Sequence, residues 1–303
     1  MSETMLDVCG QEAIEEQFNR KHIDTKIRAA IEADAGMQEK LELGAVLVSD
    51  YLAGTYHASK AKRVAQLTNL VIPDLVMDIF VGVAYSLQLE LFTAVTSQMA
   101  SRLNFSDRTE AIATVAELIA VLCHTDAFDI VKETRMGSLM LISRIPLPAD
   151  LVQFIEHSQY LPPMVCEPLK LSHNHSSGYL THNDSLILGT GNHHDGDICL
   201  DVLNTINRVQ FKLDLQFLCN VEEEPTFELD SQDKVDQWAR FKKQSYFFYT
   251  LMAQQGNKMY FNNKVDKRGR IYSCGYHINP QGAAFKKAQL ELRNEELVEG
   301  VPV

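Results

Sequence analysis

A mainly α fold with a small β component is predicted by three features of this sequence. Apolar residues recur at helical spacing through the first half of the chain, five prolines interrupt residues 146–168, and a glycine-punctuated, strand-like stretch begins at Met259. Residues 11–56 read as helices: Ala29, Ala30 and Ile31 are followed by a second periodic stretch from Leu41 to Leu52. The longest apolar region, Leu70 to Phe92, is broken by Asp74, Asp78 and Glu90. It is too polar for an unaided membrane span and predicts a buried helix pair, with Pro73 in the first turn of a helix. Asp107 and Glu110 have capping-box spacing, and Ala111, Val115, Leu118, Ile119 and Leu122 follow at helical spacing, so a helix is predicted over about 108–123. Residues 136–145 are apolar and β-rich near Leu139 and Ile142, and their state is left open.

Pro146, Pro148, Pro162, Pro163 and Pro168 disfavour long helices in the middle of the chain. Residues 171–197, rich in His, Asn, Ser and Gly, predict loop with short strands around Leu180, Leu186, Ile187 and Leu188. A long helix is predicted from about Leu200 to Cys219, using Leu203, Ile206, Phe211, Leu213, Leu215 and Phe217. Glu222, Glu223, Glu224 and Pro225 mark a connection to a second long helix, about Lys234 to Gln254, with Trp238, Phe241, Phe247 and Leu251 as anchors. Such a pair forms either a projecting antiparallel hairpin or two core helices of a bundle. Beyond Met259, Gly269, Gly275 and Gly282 punctuate the chain, Arg270 to Tyr276 reads as one strand, and Ala283 to Glu299 as helical. A strand needs neighbours for its backbone groups, so the middle segment or another polypeptide must complete the sheet. The expected organisation is a helical N-terminal domain over 1–150, a proline-rich and loop segment over 151–199, a helical hairpin over 200–255, and a strand-and-turn region over 256–303.

Composition narrows the function. The 303 residues are 46% apolar, which excludes collagen-like, low-complexity and wholly disordered chains, and they leave ample material for a core. The formal net charge of -12 argues against a free-standing nucleic-acid binder only if the charge is evenly spread. Residues 251–293 hold eight Lys and Arg against Asp266 and Glu291, a net +6, so the rest of the chain carries -18. A solvated basic face is the plain alternative. Met1 to Ile14 has no basic region followed by an apolar run, so no secretory segment is read there. Cys9, Cys123, Cys166, Cys199, Cys219 and Cys274 are widely spaced without a CxxC, and reduced thiols are expected.

Several catalytic signatures are absent: the P-loop, G-x-G-x-x-G and the G-x-S-x-G nucleophile elbow. Gly189 and Gly191 form only a short GTG. His173, His175, His182, His193, His194, Asp195, Asp197 and Cys199 supply the residue types of a zinc site, and the Asp pair those of a magnesium site, but without a known ligand spacing. A polar surface loop accounts for them equally well.

The informative run is residues 259–282, MYFNNKVDKRGRIYSCGYHINPQG. Gly269 permits close backbone approach or an unusual dihedral pair. Arg268 and Arg270 flank it, and a guanidinium forks onto phosphate. Asp266 orients a neighbouring basic side chain or accepts a backbone N–H, and its plain reading is a local salt bridge with Arg270. Tyr272 and Tyr276, on one side of a strand, stack on a sugar or fill a core. Asn279 and Gln281 suit sugar hydroxyls or base edges, with Pro280 and Gly282 shaping the turn.

The run Asp266-Lys267-Arg268-Gly269-Arg270-Ile271-Tyr272, followed by Asn279-Pro280-Gln281-Gly282, resembles the D-x-x-G-R motif and following N-P-Q-G of single-subunit DNA-directed RNA polymerases, the T7-like and mitochondrial type. Tyr260 and Phe261 match that family's aromatic approach. Upstream, Leu161-Pro162-Pro163-Met164-Val165 with Gly178-Tyr179 resembles its proline-rich segment and G-G-Y, Ser177 replacing the first glycine. Leu203-Asn204-x-x-Asn207 through Leu213 resembles the start of its thumb helix, where Gln often stands at Asn207. The resemblance covers roughly 160–290.

It implies that 200–255 is a thumb-like hairpin gripping an RNA–DNA hybrid and 256–303 the start of a palm. Asp266, Lys267, Arg268, Gly269, Arg270, Tyr272, Asn279, Gln281 and Gly282 would contact the template strand and hybrid, with Pro163, Gly178, Tyr179, Asn204, Asn207 and Lys264 in secondary roles. The family's metal-binding aspartates and fingers lie downstream of anything here. The chain is therefore similar to the smaller subunit of the two-subunit RNA polymerase of N4-like bacteriophages. The resemblance then implies a subunit inactive alone, a larger partner carrying palm, fingers and Mg2+, a phage single-stranded-DNA-binding protein as a further partner, and the cytoplasm of an infected bacterial host as location. Three other readings are a nucleic-acid-binding module outside any polymerase, a metal-dependent nucleotidyl or phosphoryl enzyme built on the His/Asp loop, and a fragment of a single-chain polymerase.

Overall fold

The computed structural model describes residues 3–103, 105–133, 137–158, 160–189 and 195–294. Contacts divide the chain into two units: Arg20–Glu156, and a second formed by Met1–Asn19 together with His157–Val303. The architecture is mainly α with a small β component.

The first unit is built from α2 (Arg20–Ala33), α3 (Ala35–Ala53), α4 (Ala58–Ala65), α5 (Ile72–Ala84), α6 (Phe92–Met99) and α7 (Arg108–Leu122), with most of α8 (Ala149–His157). α1 (Glu3–Phe18) belongs to the other unit. Ile23, Ile27 and Ile31 lie one helical turn apart on α2 and are all fully buried, as the 3.6-residue period requires. α7 forms where expected: the Asp107 side chain caps it by accepting from the Glu110 N–H (2.9 Å), and Ala111, Val115, Leu118, Ile119 and Leu122 are buried. Pro73 sits in the first turn of α5. The Leu70–Phe92 run is not a helix pair. α5 ends at Ala84, the Ser86 carbonyl accepts from the Ser143 N–H (2.9 Å), and the chain runs into strand β1 (Glu90–Leu91) before α6. The open stretch near Leu139 and Ile142 is a strand, β3 (Leu139–Ser143), central in an antiparallel sheet of order β1-β3-β2, with β2 spanning Phe128–Lys132. Leu141 and Phe128 turn into the helical core, where Phe128 meets Phe80 edge-to-face at 6.2 Å.

In the second unit the predicted 200–219 helix is broken into three pieces: α9 (Leu200–Asn207), β4 (Phe211–Leu213) and α10 (Leu215–Asn220). Asn207 is buried and bonded to Asn263, which pins the end of α9, and Asp214 caps α10 by accepting from the Phe217 N–H (2.8 Å). Phe211 and Leu213 have alternation as well as helical spacing, and pairing with a distant strand decides between them. The predicted hairpin of two long helices is therefore absent among the described residues, and of that pair only α11 (Gln232–Gln254) forms at length. The Ala283–Glu299 stretch also departs from the helical reading. A short α12 (Ala284–Ala288) is followed by β7 (Leu290–Leu292), which pairs antiparallel with β4, and 295–299 lie outside the described residues. The Arg270–Tyr276 strand is cut to β6 (Ile271–Ser273), antiparallel to β5 (Asn263–Val265). Its neighbours come from this chain: β5 on one edge, with Ile187 bridging the far side of β5 in parallel. The core gathers Ile14 and Phe18 of α1 with Val165, Phe248, Met252, Met259, Phe261 and Ile278. No described helix is long and apolar enough to cross a membrane.

Candidate nucleic-acid interface

Strands β5 and β6 are joined by the turn Asp266–Arg270. The Asp266 N–H donates to the Arg270 carbonyl (2.9 Å), and the Gly269 N–H donates to the Asp266 carbonyl (2.9 Å). Gly269 adopts φ +78°, and a Cβ added there would meet nothing within 4 Å. Of the two roles open to this glycine, the dihedral pair is the one used, not close approach.

The Asp266 carboxylate organises the turn. Its Oδ1 accepts the backbone N–H groups of Arg268 (2.9 Å) and Arg270 (3.0 Å). Its Oδ2 accepts from the guanidinium of Arg270 (Nε 2.8 Å, Nη2 2.7 Å), from that of Arg268 (Nη2 3.0 Å) and from the Tyr272 hydroxyl (3.2 Å). Desolvation works to raise this carboxyl, but the bonds from the Arg270 backbone and guanidinium outweigh it and hold it below the ordinary carboxylate range. The bond to Asp266 in turn raises Arg270. The acid is recessed, its side chain 16% exposed, while those of Arg268 and Arg270 are 70% and 52% exposed. Lys267 is exposed at the apex. One acid and three bases give the turn a net positive face, with the acid beneath as a splint.

A second layer braces the hairpin. The Gln281 carboxamide lies along β6 as an added strand would, accepting from the Ser273 N–H (2.9 Å) and donating to the Ile271 carbonyl (3.1 Å). Asn279 donates to the carbonyls of Ser273 and Gly275 and accepts from the Gln281 N–H (2.7 Å), and the Gly282 N–H returns to the Asn279 carbonyl. The carboxamides read as ligands for sugars or bases are thus engaged inside the chain, because among the described residues no strand lies on the outer edge of β6. On β5, Asn263 receives Asn207: the Oδ1 of Asn207 accepts both the Asn263 N–H (3.0 Å) and its Nδ2 (2.9 Å). Asn204 clasps the Leu171 backbone through both ends of its amide. Lys264 pairs with Asp184. Gly178 backs against Asn262 so closely that a Cβ would lie 1.8 Å from Oδ1, and Tyr179 is buried beside it.

Of the predicted residues, Asp266, Lys267, Arg268, Gly269, Arg270 and Tyr272 share one turn, and Asn279, Gln281 and Gly282 support it. Lys264, Gly178, Tyr179 and Asn207 surround β5. Pro163 stands apart, buried in a small cleft with Tyr160, Phe248, Tyr276 and His277. Tyr276 is not on the Tyr272 face: β6 ends at Ser273, Gly275 turns the chain at φ +141°, and Tyr276 stacks on Tyr160 (4.3 Å, 17°).

The described members of the His/Asp loop do not converge. Among the described residues no group of three or more His, Cys, Asp or Glu side chains is placed to hold a metal. Gly191, His193 and His194 lie outside the described residues. His182 instead faces buried Glu15 on α1 (3.6 Å). Glu15 accepts from the N–H groups of Leu180 (2.9 Å) and Thr181 (2.8 Å), from the Thr181 hydroxyl (2.6 Å) and from Gln11. Sequence reading missed this clamp, although Gln11, Ile14, Glu15 and Phe18 at spacings of three and four signalled a polar pair on an apolar helix face. All six cysteines are free thiols, and burial pushes those of Cys166 and Cys274 up to about 12 and about 11.

The structure thus presents a carboxylate-splinted basic turn on a mainly α scaffold, an arrangement suited to phosphate. No protein-family model matches the chain. A "Probable DNA-directed RNA polymerase" from Gelasinospora sp. (strain G114) is 28% identical over 144 residues, which cover 43% of this chain. The same alignment covers 17% of that protein, so the homology to a DNA-directed RNA polymerase is partial.

Proposed function

We propose that this chain is a DNA-directed RNA polymerase component that contacts the template strand and RNA–DNA hybrid and does not catalyse alone. The observation that supports it most directly is the Asp266 splint, which holds the Arg268 and Arg270 guanidinia outward on a rigid hairpin. Pre-set guanidinia lose little freedom on meeting a phosphate, and contacts of this kind fix register without reading sequence. The partial homology to the Gelasinospora "Probable DNA-directed RNA polymerase" supports the same reading. In it, a larger phage-encoded polypeptide supplies palm, fingers and the carboxylates that hold Mg2+, a phage single-stranded-DNA-binding protein assists on the template, and the complex works in the host cytoplasm. The T7-like thumb and palm assignments belong to this proposal too, with α11 as the remaining thumb element.

The test is fluorescence anisotropy with a labelled DNA strand carrying a short annealed RNA. Arg270→Ala should weaken binding on the order of tenfold, a charge-assisted bond being worth about 1.5 kcal/mol. It should also lower the salt slope by roughly one. Asp266→Asn adds a net positive charge, so simple electrostatics predicts tighter binding, whereas the splint predicts weaker binding. Unchanged affinity in Arg270→Ala would refute the proposed contact. A stable complex with a palm-bearing polypeptide separates a polymerase subunit from a free-standing binding module.

A further inference from the structure

α11 is 23 residues long, yet its buried residues, Ser245, Phe248, Tyr249 and Met252, all lie in its second half. No residue of 232–244 is fully buried, although the stretch carries Val235, Trp238 and Phe241 at three-residue spacing; of these three, Phe241 reaches the rest of the fold, packing on His277 (5.3 Å) and Tyr276 (5.9 Å). The segment leading into it exposes more apolar surface: Val221 is 41% exposed, Phe227 46% and Leu229 42%. Phe227 meets Trp238 edge-to-face (6.1 Å), and Trp238 stacks on Phe241 (5.2 Å, 21°), so the rings form a continuous ledge. Ledges of this kind mark interaction sites.

The segment carrying the ledge is strongly acidic, although Lys286 lies over the Phe241 ring (5.3 Å) at its inner end. Between 222 and 236 stand Glu222, Glu223, Glu224, Glu228, Asp230, Asp233 and Asp236 against Lys234 alone, which is paired to Asp230. The sign changes at Arg240, and Lys242 beyond it leans toward Glu222 (4.0 Å). Aromatic rings stack on bases as readily as on protein, but the excess acids of 222–236 repel phosphate. They attract Lys and Arg, which also bind the faces of Trp and Phe.

We propose that the 221–241 ledge docks a basic, amphipathic segment of another polypeptide, its apolar side chains on Phe227, Val235 and Trp238 and its cations over the acidic rim. This surface is separate from the 266–270 turn and rests on its own chemistry. Because its test reads occupancy of this ledge and not of the 266–270 turn, its failure leaves the polymerase reading untouched.

Trp238 is the one tryptophan of the chain, so its emission reports occupancy directly. The full chain is titrated with a synthetic peptide carrying arginine and leucine at helical spacing, with oligolysine of equal charge, and with oligothymidylate. The peptide should blue-shift Trp238 saturably at one site, about tenfold more tightly than oligolysine. Phe227→Ala/Val235→Ala, at exposed positions, and Glu222→Gln/Glu223→Gln/Glu224→Gln should each weaken it about tenfold, while Glu39→Gln/Glu42→Gln on α3 should not. Circular dichroism checks that each variant is folded. An equal response to oligolysine, a shift with oligothymidylate alone, or self-association of the chain that occludes Trp238 in sedimentation and emission would each overturn the proposal.

Discussion

Replacing Glu15 by glutamine tests how α1 is held to the loop that carries Gly178 and Tyr179. The carboxylate is fully buried and takes four hydrogen bonds, from Leu180, Thr181 (twice) and Gln11. Burial alone would raise it, but the facing His182 and the bonds from Thr181, Leu180 and Gln11 outweigh that and bring it from 4.5 to about 2. A folded-state value below the unfolded one means that Glu15 stabilises the fold at and above pH 4.5, and that this is lost as pH falls toward 2. The shift corresponds to about 3 kcal/mol at about 1.36 kcal/mol per pH unit. Glutamine keeps one acceptor but turns an NH2 toward donors, so Glu15→Gln should cost about that much at pH 7, with the gap closing by pH 2 as the native acid protonates. Urea unfolding followed by circular dichroism across this range, comparing the two proteins at each pH, cancels every other carboxylate. Hydrogen exchange of the Leu180 and Thr181 amides should speed up on the order of a hundredfold in the variant. A gap that is the same at pH 7 and pH 2, or no gap at all, would refute the clamp.

The two informative glycines should fail differently. Gly269→Ala meets no atoms, so only its positive φ opposes it, and a loss of about 1 kcal/mol in unfolding free energy is expected. Gly178→Ala drives a methyl into Asn262 and should cost about 1–3 kcal/mol, with Asn262→Ala relieving part of it in a double-mutant cycle. His277 is buried against Ser245, and burial, then Lys286 and His157, push it down to about 4. Its stabilisation is therefore present above pH 6.5 and lost as pH falls toward 4, a window above that of Glu15. His277→Phe should flatten the urea midpoint between those values, and an imidazole that titrates normally by NMR would contradict this.

Much of this was legible locally. The α7 cap, the proline opening α5 and the apolar faces of α2 and α7 follow from residues within a turn of one another. The break at 208–214 was not, because Phe211 and Leu213 fit helix and strand alike until β7 and Met259, far along the chain, took their backbone groups. Within the site, Asp266, Gly269 and Arg270 were readable because all their partners lie within six residues. Asn279 and Gln281 misled because an amide that recognises a base and one that closes a strand edge are the same group.

The sequence by itself determined the helical periods, the concentration of positive charge near Arg270 and the turn around Gly269, since spacing and backbone sterics act over a few residues. Only the tertiary structure decided which pairings replaced the predicted 200–219 helix, which amides remained inside the hairpin, and that Phe227 and Trp238 lie at the surface. Those outcomes depend on which backbone and amide groups find partners in other elements, as β4 does on β7 and Asn207 on Asn263, and helical or strand periodicity holds no information about that.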